Sequence, residues 1–431
     1  MGALIRFFEN RMERQLAIQK SNGIIPPEHV RLADADPNDD RALIPPLGLR
    51  EYWYPALPAK KVGRKPLFWT MLGEELVFFR AKAGEVVALR DVCPHRNASL
   101  SEGDCFYSGF VTCPYHGATF NGKGECVAFL CEGPDSKMVG TLEARAYPIQ
   151  ILGGWVFIWM GQGEPAPIEQ DVPPELFDPD VLPLTSYTYW FTNWMLAIEN
   201  HSDSHNALFV HRDSIRQLLG LTKGRYRSPV GPRSKAIENR ALLAIHDNQE
   251  YYAKDGKVPH QMYYPGVDGV WPLHRWRLLW QWVFKRFAHR GSYAQAPEEW
   301  RVGHHLPGMV RTGGNHTRYA VAVQPNLSRI VYFYFVRPKN GLRRLWEKLH
   351  FNLLHTPLEY NFSSQDNGAA SPCRYWEPEY LSSTDAQVVR LRSLVAHDSR
   401  DAQRRRLSAN VTESPQARAQ HRELIAAGEK S

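Results

Sequence analysis

With 431 residues, the chain is longer than one hydrophobic core usually reaches, so its length favours two domains. A composition of 43% hydrophobic, 12% aromatic and 23% charged residues excludes disorder throughout and indicates a globular protein rich in side chains that line apolar pockets. Six unevenly spaced cysteines argue against a disulfide framework, and no apolar run approaches the ~20 residues of a membrane span, so we predict a cytoplasmic protein. The net charge of +7 allows nucleic acid, a membrane surface or an acidic protein as a partner.

The first part of the chain predicts an N-terminal extension followed by a β domain. Residues 1–46 predict a short amphipathic helix and a connector rich in Pro and Asp. Short apolar runs then alternate with turn signals, as in Leu76–Phe79 and Val86–Leu89, and Gly154–Trp159 reads as a buried strand. We therefore predict an all-β domain over residues 47–164.

A Pro-rich stretch ends this pattern and predicts a domain boundary. Residues 165–398 mix strands, such as Tyr319–Val323 and Ile330–Val336, with an amphipathic helix over 342–354, so we predict an α+β domain. Arginines accumulate after it. We interpret residues 399–431 as a basic, solvated tail, with docking of an acidic electron carrier as the alternative.

Two short motifs carry the strongest chemical signal, Cys93-Pro-His95-Arg and Cys113-Pro-Tyr-His116-Gly. Each offers one thiolate and one imidazole, and in one kind of 2Fe-2S centre two Cys hold one iron while two His hold the other. A zinc site takes the same donors, but the tight Cys-x-His pair and the β context disfavour the usual finger spacing. We therefore expect these four side chains to bind a 2Fe-2S cluster.

These motifs, together with Ala118–Cys126 after them, make the sequence resemble the Rieske family. Respiratory-chain members carry an additional Cys in each loop, whereas this chain has Ala98 near the first and Tyr115 inside the second, so it resembles the oxygenase branch. The resemblance implies an N-terminal all-β Rieske domain followed by an α+β helix-grip (START-like) catalytic domain. It also implies a mononuclear Fe(II) as the second cofactor.

A second constellation lies in residues 199–215, which contain three histidines. An O2-activating Fe(II) takes two imidazoles and one carboxylate on one face, and helix geometry alone prefers His201 with His205. The segment resembles the iron-binding helix of carbazole-type Rieske oxygenases, which implies His205 and His211 as ligands, with His201 in reserve. The family expects His where this chain has Asn206, and a π-type bulge would rotate His205 into position.

The third ligand in this family is a carboxylate far downstream, often after Gln. Ser364-Gln-Asp366 fits that position, so we expect Asp366 to bind iron. Asp385 and Glu359 are weaker alternatives. A competing interpretation is that Asp366, followed by Asn and Gly, only forms a turn or a helix cap.

The resemblance also implies how the two centres communicate. Asp203 would accept hydrogen bonds from an iron-ligating His and from a cluster His of the neighbouring subunit, which requires a ring and implies a homotrimer. Because no Gly-rich dinucleotide fingerprint opens a βαβ unit, we expect electrons from a separate NAD(P)H-dependent flavin reductase, with or without a ferredoxin.

The implied function is that of a terminal oxygenase that mono- or dioxygenates an apolar, aromatic or heteroaromatic substrate in hydrocarbon catabolism. Three alternatives stay open. The chain could be a Rieske O- or N-demethylase or monooxygenase of a non-aromatic substrate, or an electron-transfer Rieske protein without oxygenase activity. The basic tail and a Trp-rich insertion also allow a nucleic-acid binder. The sequence does not identify the substrate.

Overall fold

The structure is a computed structural model, and it describes residues 39–201, 210–211, 233–237, 241–245, 294, 296–300, 302–312, 316–382 and 385–405. Within these ranges no helix combines the length and the apolarity needed to cross a membrane. The predicted N-terminal helix, Asp203, His205 and the π-type bulge expected near it lie outside the described residues. The domain boundaries inferred from the sequence stay predictions.

The N-terminal part is built from short antiparallel strands. In chain order they are β1 (Trp53–Pro58), β2 (Leu67–Met71), β3 (Glu74–Arg80), β4 (Val86–Arg90), β5 (Val111–Thr112), β6 (Ala118–Phe120), β7 (Cys126–Phe129), β8 (Ala146–Tyr147), β9 (Ile149–Leu152) and β10 (Trp155–Trp159). They form three sheets with the orders β1-β10-β9, β2-β3-β4-β8 and β5-β6-β7. The three strands predicted from alternating and continuous apolar runs are confirmed as β3, β4 and β10.

In the described residues of the downstream part, seven strands form one sheet, and each is antiparallel to its neighbours. Its strands are β11 (Leu182–Trp190), β12 (Arg233–Ile237), β13 (Ala241–Ile245), β14 (Gly303–His305), β15 (Met309–Thr312), β16 (His316–Gln324) and β17 (Leu327–Val336). Their order is β11-β17-β16-β15-β14-β13-β12. The two strands predicted from the sequence are confirmed as β16 and β17.

The helices among the described residues are α1 (Trp194–Glu199), α2 (Gly341–His350), α3 (Thr356–Ala370) and α4 (Ala386–Ser393), with π-helical turns at Phe351–His355 and Leu394–Asp398. Of these, α1 and α3 contact the seven-stranded sheet, and α2 and α4 follow its last strand. Short 3-10 turns lie at Asp40–Leu43, Ala59–Lys61, Leu100–Glu102, Ile168–Gln170, Pro174–Phe177 and Glu298–Trp300. Side-chain caps explain two of the helix starts: Asn193 accepts a hydrogen bond from the Met195 N–H, and Asn340 from the Arg343 N–H.

The seven-stranded sheet uses its two faces for different contacts. Successive side chains of a strand point to opposite faces, and directly opposite residues on paired strands share a face. On one face, Phe333 packs against Trp155 of the N-terminal part, with ring centroids 5.5 Å apart. On the other face, Trp190 and Tyr332 hydrogen-bond to Ser363 of α3, at 2.8 and 2.7 Å. The sheet therefore lies between the N-terminal part and α3.

The predicted helix over 342–354 is confirmed as α2 and the π-helical turn after it. The apolar side of α2, which was expected to face the core, is instead exposed. Leu342, Leu345 and Trp346 are exposed by 82%, 54% and 43%, whereas the carboxylate side chain of Glu347 is buried. Its apolar stripe therefore does not contribute to the core of this chain.

The basic tail stays a prediction, but two arginines in its described part have partners in the rest of the chain. Arg400 pairs with the buried carboxylate of Asp171 at 2.8 Å and donates to the Glu51 carbonyl at 3.0 Å, and Arg404 pairs with the Glu51 side chain. These arginines hold the end of the described chain onto the N-terminal part, because each has a carboxylate within reach. The sequence alone could not show these partners, which are more than 200 residues away.

Candidate metal centres

The two Cys-His motifs form loops with the same backbone. In each, the cysteine N–H donates to the carbonyl of the alanine five residues later, at 2.8 Å, and the residue four positions on donates back to the cysteine carbonyl. That residue has a left-handed backbone in both loops: Asn97 has φ +61° and Gly117 has φ +68°. Gly and Asn are the residues that adopt this region most readily. The loops thus hold Cys93 and Cys113 in equivalent settings.

Both thiols are buried and in hydrogen-bonding contact with each other. In each loop, the backbone N–H groups of the two residues after the proline donate to the sulfur. The contact with Cys93 lowers the pKa of Cys113 to about 6, while the same contact and burial raise the pKa of Cys93. Amide donors around sulfur favour the thiolate, which is the form that binds metal.

The two imidazoles of the motifs lie beside each other. The rings of His95 and His116 have centroids 4.6 Å apart, and Phe129 packs edge-on against His95 at 5.1 Å. Both histidines are partly exposed, whereas both cysteines are buried. The donor set is therefore divided, with two sulfur ligands inside and two nitrogen ligands facing outward.

This division fits a cluster of two irons with different ligands better than a single zinc ion. In a zinc site all four donors surround one point. Among the described residues, no three His, Cys, Asp or Glu side chains are grouped so as to hold one metal ion. Paired thiolates and paired imidazoles are the ligand pattern of a Rieske cluster.

The second candidate centre joins His211 to helix α3. The Nε2 atom of His211 lies 3.2 Å from Oδ1 of Asp366, its Nδ1 atom lies 3.2 Å from Oε1 of Gln365, and its ring stacks on Phe362 with centroids 3.5 Å apart. These three residues of α3 are at positions i, i+3 and i+4, so they share one face of the helix. His211 and Asp366 are both buried.

The amide oxygen of Gln365 decides which nitrogen of His211 is available for metal. Oε1 only accepts hydrogen bonds, so when Nε2 of His211 binds a metal, its Nδ1 atom can carry the proton and donate it to Gln365. Nε2 is the atom beside Asp366. A neutral imidazole nitrogen and a carboxylate oxygen therefore converge, as two of the three protein ligands of a mononuclear iron would.

The structure also shows where the alternative carboxylates and the reserve histidine lie. Asp366 lies inside α3 and is buried, so its interpretation as a turn is wrong. Asp385 is the residue before α4, and its side chain accepts hydrogen bonds from the backbone N–H and the hydroxyl of Ser382. Glu359 is buried in α3, one turn after His355. His201 lies beside His304, with ring centroids 5.7 Å apart.

A buried ion pair, which the sequence did not reveal, fixes the segment that leads to the predicted iron helix. Glu199 ends α1, and its two carboxylate oxygens accept hydrogen bonds from Nε and Nη2 of Arg392 at 2.7 and 2.8 Å. The Tyr375 hydroxyl adds a third, at 3.1 Å. Burial raises the pKa of Glu199 despite the guanidinium beside it.

A second cation lies at the same end of α1. Arg318 of β16 donates to the Ala197 carbonyl at 3.0 Å and to the Asn200 side-chain oxygen at 3.3 Å. Burial, with a smaller contribution from the Arg318 charge, lowers the pKa of His304 to about 3, so this histidine is neutral at physiological pH. No sequence signal distinguished Arg318 from other strand arginines.

Two protein families match consecutive parts of the chain. Residues 52–148 match the Rieske 2Fe-2S domain, and residues 159–243 match the homotrimeric ring hydroxylase family. Residues 52–148 are therefore similar to a Rieske 2Fe-2S domain, and the residues that follow them are similar to a ring-hydroxylase domain. The resemblance carried by the Cys-His motifs and the predicted order of an all-β domain before a mixed one are confirmed.

Its relatives are oxygenase components. The carbazole 1,9a-dioxygenase terminal oxygenase component of Metapseudomonas resinovorans is 34% identical over 171 residues, which are 39% of this chain and 44% of that protein. The dicamba O-demethylase oxygenase component of Stenotrophomonas maltophilia is 33% identical over 169 residues, 38% and 48% of the two chains. This chain thus spans less than half the length of these curated relatives.

The fold likeness extends further than the sequence likeness. The oxygenase in the reduced complex between oxygenase and ferredoxin of carbazole 1,9a-dioxygenase matches with a TM-score of 0.65 at 22% identity, covering 85% of this chain and 97% of that chain. The fold of the seven-stranded domain is therefore shared although its sequence has diverged.

Proposed function

We propose that this chain is the terminal oxygenase component of a Rieske non-haem iron oxygenase. It receives electrons at its cluster and uses O2 to hydroxylate an apolar, aromatic or heteroaromatic substrate. The observation that carries the proposal is the buried pairing of His211 with Asp366, in a chain that also presents two Cys-His loops. An electron-transfer protein would not need this second donor pair.

In this function each donor set has one role. Cys93 and Cys113 hold one iron of the cluster, and His95 and His116 hold the other. His205, His211 and Asp366 hold the mononuclear iron. When bound, the cluster supplies one electron at a time and the mononuclear Fe(II) activates O2. Gln365 keeps the His211 proton on Nδ1, and Phe362 fixes the plane of the same ring.

The reaction needs external partners. Adding both atoms of O2 to an aromatic ring as a dihydrodiol consumes two electrons and two protons, and monooxygenation consumes the same and releases water. We infer that a separate NAD(P)H-dependent flavin reductase supplies the electrons, directly or through a ferredoxin. The named relatives include both a dioxygenase and an O-demethylase, so oxidative demethylation is the alternative outcome at the same site.

The proposal includes an assembly and a compartment. We infer a homotrimer in which Asp203 joins an iron-ligating histidine to a cluster histidine of the neighbouring subunit, because a carboxylate between two imidazole N–H groups fixes both tautomers. The match to the homotrimeric ring hydroxylase family supports this assembly. All six cysteines are free, which suits the reducing cytoplasm.

Iron counting separates the oxygenase from an electron carrier. The wild-type protein should hold about three irons per chain, two in the cluster and one at the mononuclear site. His211→Ala and Asp366→Ala should keep the cluster absorption, lose about one iron and form no oxygenated product. Asp385→Ala, at the alternative carboxylate, should keep both the iron and the activity.

The same experiment decides between the candidate histidines. His205→Ala should lose the mononuclear iron, whereas His201→Ala should retain it. Full turnover in His211→Ala, or a wild-type protein that holds only the cluster irons, would overturn the proposed function.

A further inference from the structure

Arg318 is a buried cation on the face of the seven-stranded sheet that meets α3. It lies directly opposite Tyr332 on β17 and Val310 on β15, so the three side chains share one face. The Tyr332 hydroxyl is hydrogen-bonded to Ser363, which lies one helical turn before Asp366. This places Arg318 next to the part of the sheet that supports the proposed iron site.

The guanidinium of Arg318 is only partly satisfied. Its residue is 9% exposed, and its Nη2 atom makes both of its hydrogen bonds, to the Ala197 carbonyl and to the Asn200 amide oxygen. The group also lies over the Trp190 ring, 5.0 Å from its centroid. Among the described residues, no carboxylate pairs with it, and its Nε and Nη1 atoms donate no hydrogen bond to them.

The other buried arginines show what is unusual about this one. Arg311 is paired with Glu175, and Arg392 is paired with Glu199. Arg329 has no carboxylate among the described residues, but its Nε, Nη1 and Nη2 atoms all donate, to the Tyr189 hydroxyl and the Thr70 carbonyl. An arginine side chain is always charged, and a buried charge without a counterion is costly.

We propose that Arg318 is a specificity-determining residue that binds the carboxylate of an aromatic acid, so that the substrate is an anionic aromatic compound. The planar fork of guanidinium donors matches a carboxylate with two parallel hydrogen bonds. The Trp190 ring and the buried apolar side chains of Val310 and Ile330 lie on the same face of the sheet as Arg318, so the surroundings of the guanidinium are apolar and aromatic. This inference rests on the proposed oxygenase function and narrows its substrate class.

A simple role for Arg318 would be to neutralise the carbonyl end of α1, since cations stabilise the C-terminus of a helix. Such a role needs only a positive charge and predicts no preference among ligands. A preference for a carboxylate over a neutral ligand therefore indicates carboxylate recognition by Arg318. A lower melting temperature of an Arg318 variant indicates its role at the end of α1.

The test measures equilibrium binding to the intact protein, with cluster and iron, under anaerobic and unreduced conditions. Calorimetry compares benzoate and 2-naphthoate with their neutral carboxamides, and a sulfonate of the same ring tests for general anion binding. The wild type should bind a carboxylate roughly ten- to hundredfold more tightly than its amide. Arg318→Gln should remove this preference while amide affinity stays within about threefold.

A surface arginine gives the matched control. Arg337 pairs with Asp178 in an exposed ion pair, so Arg337→Gln removes the same charge without touching the sheet face. It should keep the full preference for the acid. The proposal is overturned when the wild type binds acid and amide equally, or when Arg318→Gln still prefers the acid.

A second variant keeps the test decisive if Arg318→Gln does not fold. Asn200→Asp places a carboxylate where the Asn200 oxygen already lies 3.3 Å from Nη2. This internal anion should weaken acid binding about tenfold or more without lowering the melting temperature. Unchanged acid affinity in a folded Asn200→Asp protein would also count against the proposal.

The outcomes also distinguish this inference from the proposed function. If acid and amide bind equally but the reduced enzyme oxygenates a neutral aromatic compound, the oxygenase function stands and Arg318 is not a specificity residue. If the acid is preferred but no oxygenated product forms from any compound, the carboxylate site stands and the oxygenase function fails.

Discussion

Replacing Arg392 by Met should be among the most destabilising single substitutions in this chain. Arg392 and Glu199 form a two-pronged ion pair, and their side chains are only 6% and 3% exposed. Removing the guanidinium leaves the Glu199 carboxylate buried with only the Tyr375 hydroxyl as a partner at that end of α1. Breaking such a pair costs about 3–5 kcal/mol of unfolding free energy.

The pH dependence of this loss follows from the carboxyl group. Burial already raises the pKa of Glu199 in the folded protein, and removal of Arg392 should raise it further. A carboxyl whose folded pKa lies above its unfolded value stabilises the fold at low pH and loses that contribution as pH rises through the folded pKa. The deficit of Arg392→Met should therefore shrink in acid and be largest above neutral pH.

Urea unfolding followed by tryptophan fluorescence, at an acidic and an alkaline pH, measures this effect. Arg374→Met is the control, because Arg374 pairs with Glu377 on the surface, with side chains 76% and 59% exposed, and its loss should leave the unfolding free energy nearly unchanged. Adding Glu199→Gln to Arg392→Met should recover roughly 1–3 kcal/mol. The reasoning is refuted if Arg392→Met costs no more than Arg374→Met, or if the second substitution recovers nothing.

Two further predictions concern the candidate centres. Gln365→Leu removes the hydrogen-bond acceptor at Nδ1 of His211 and should weaken Fe(II) affinity about 10- to 100-fold, measured by competition with a chelator. Gln365→Glu keeps an acceptor there and should retain most of the affinity. Equal losses in both variants would contradict the argument that Gln365 fixes the tautomer of His211. Asn97→Ala forces Ala into the left-handed region at φ +61° and should cost about 1–2 kcal/mol, seen as cluster bleaching at lower temperature. In Asn97→Gly the cluster should bleach at the same temperature as in the wild type. If the cluster of Asn97→Ala is as heat-stable as that of Asn97→Gly, the loop does not need a left-handed backbone at this position.

Much of the N-terminal part could be predicted because its signals are local. The strands of the β domain follow from runs of apolar residues only a few positions long, and each Cys-His motif supplies its ligands within one loop closed by its own backbone. What the motifs could not show is that both loops share one backbone, with Asn97 and Gly117 in equivalent left-handed positions.

Local signals were less reliable in the downstream part. The Asp-Asn-Gly sequence after Gln365 allowed a turn, but α3 continues through it to Ala370, and Asp366 is buried. Packing on the sheet outweighs the turn preference here, because Ser363 and Asn367 of the same helix hydrogen-bond to β11 and to the residue after it. The apolar stripe of α2 was correctly read as helical, although it lies on the exposed side.

The donor atoms of the first candidate centre could be read from the chain, since cysteine, histidine and the turn residues that hold them are neighbours in sequence. The donors of the second candidate centre are brought together by tertiary contacts. His211 meets Asp366 across 155 positions, and Glu199 meets Arg392 across 193, as the numbering of the pairs shows. Which buried charges are paired with a carboxylate among the described residues, and which, like Arg318, are not, depends on how the sheet and helices pack, and no local pattern encodes it.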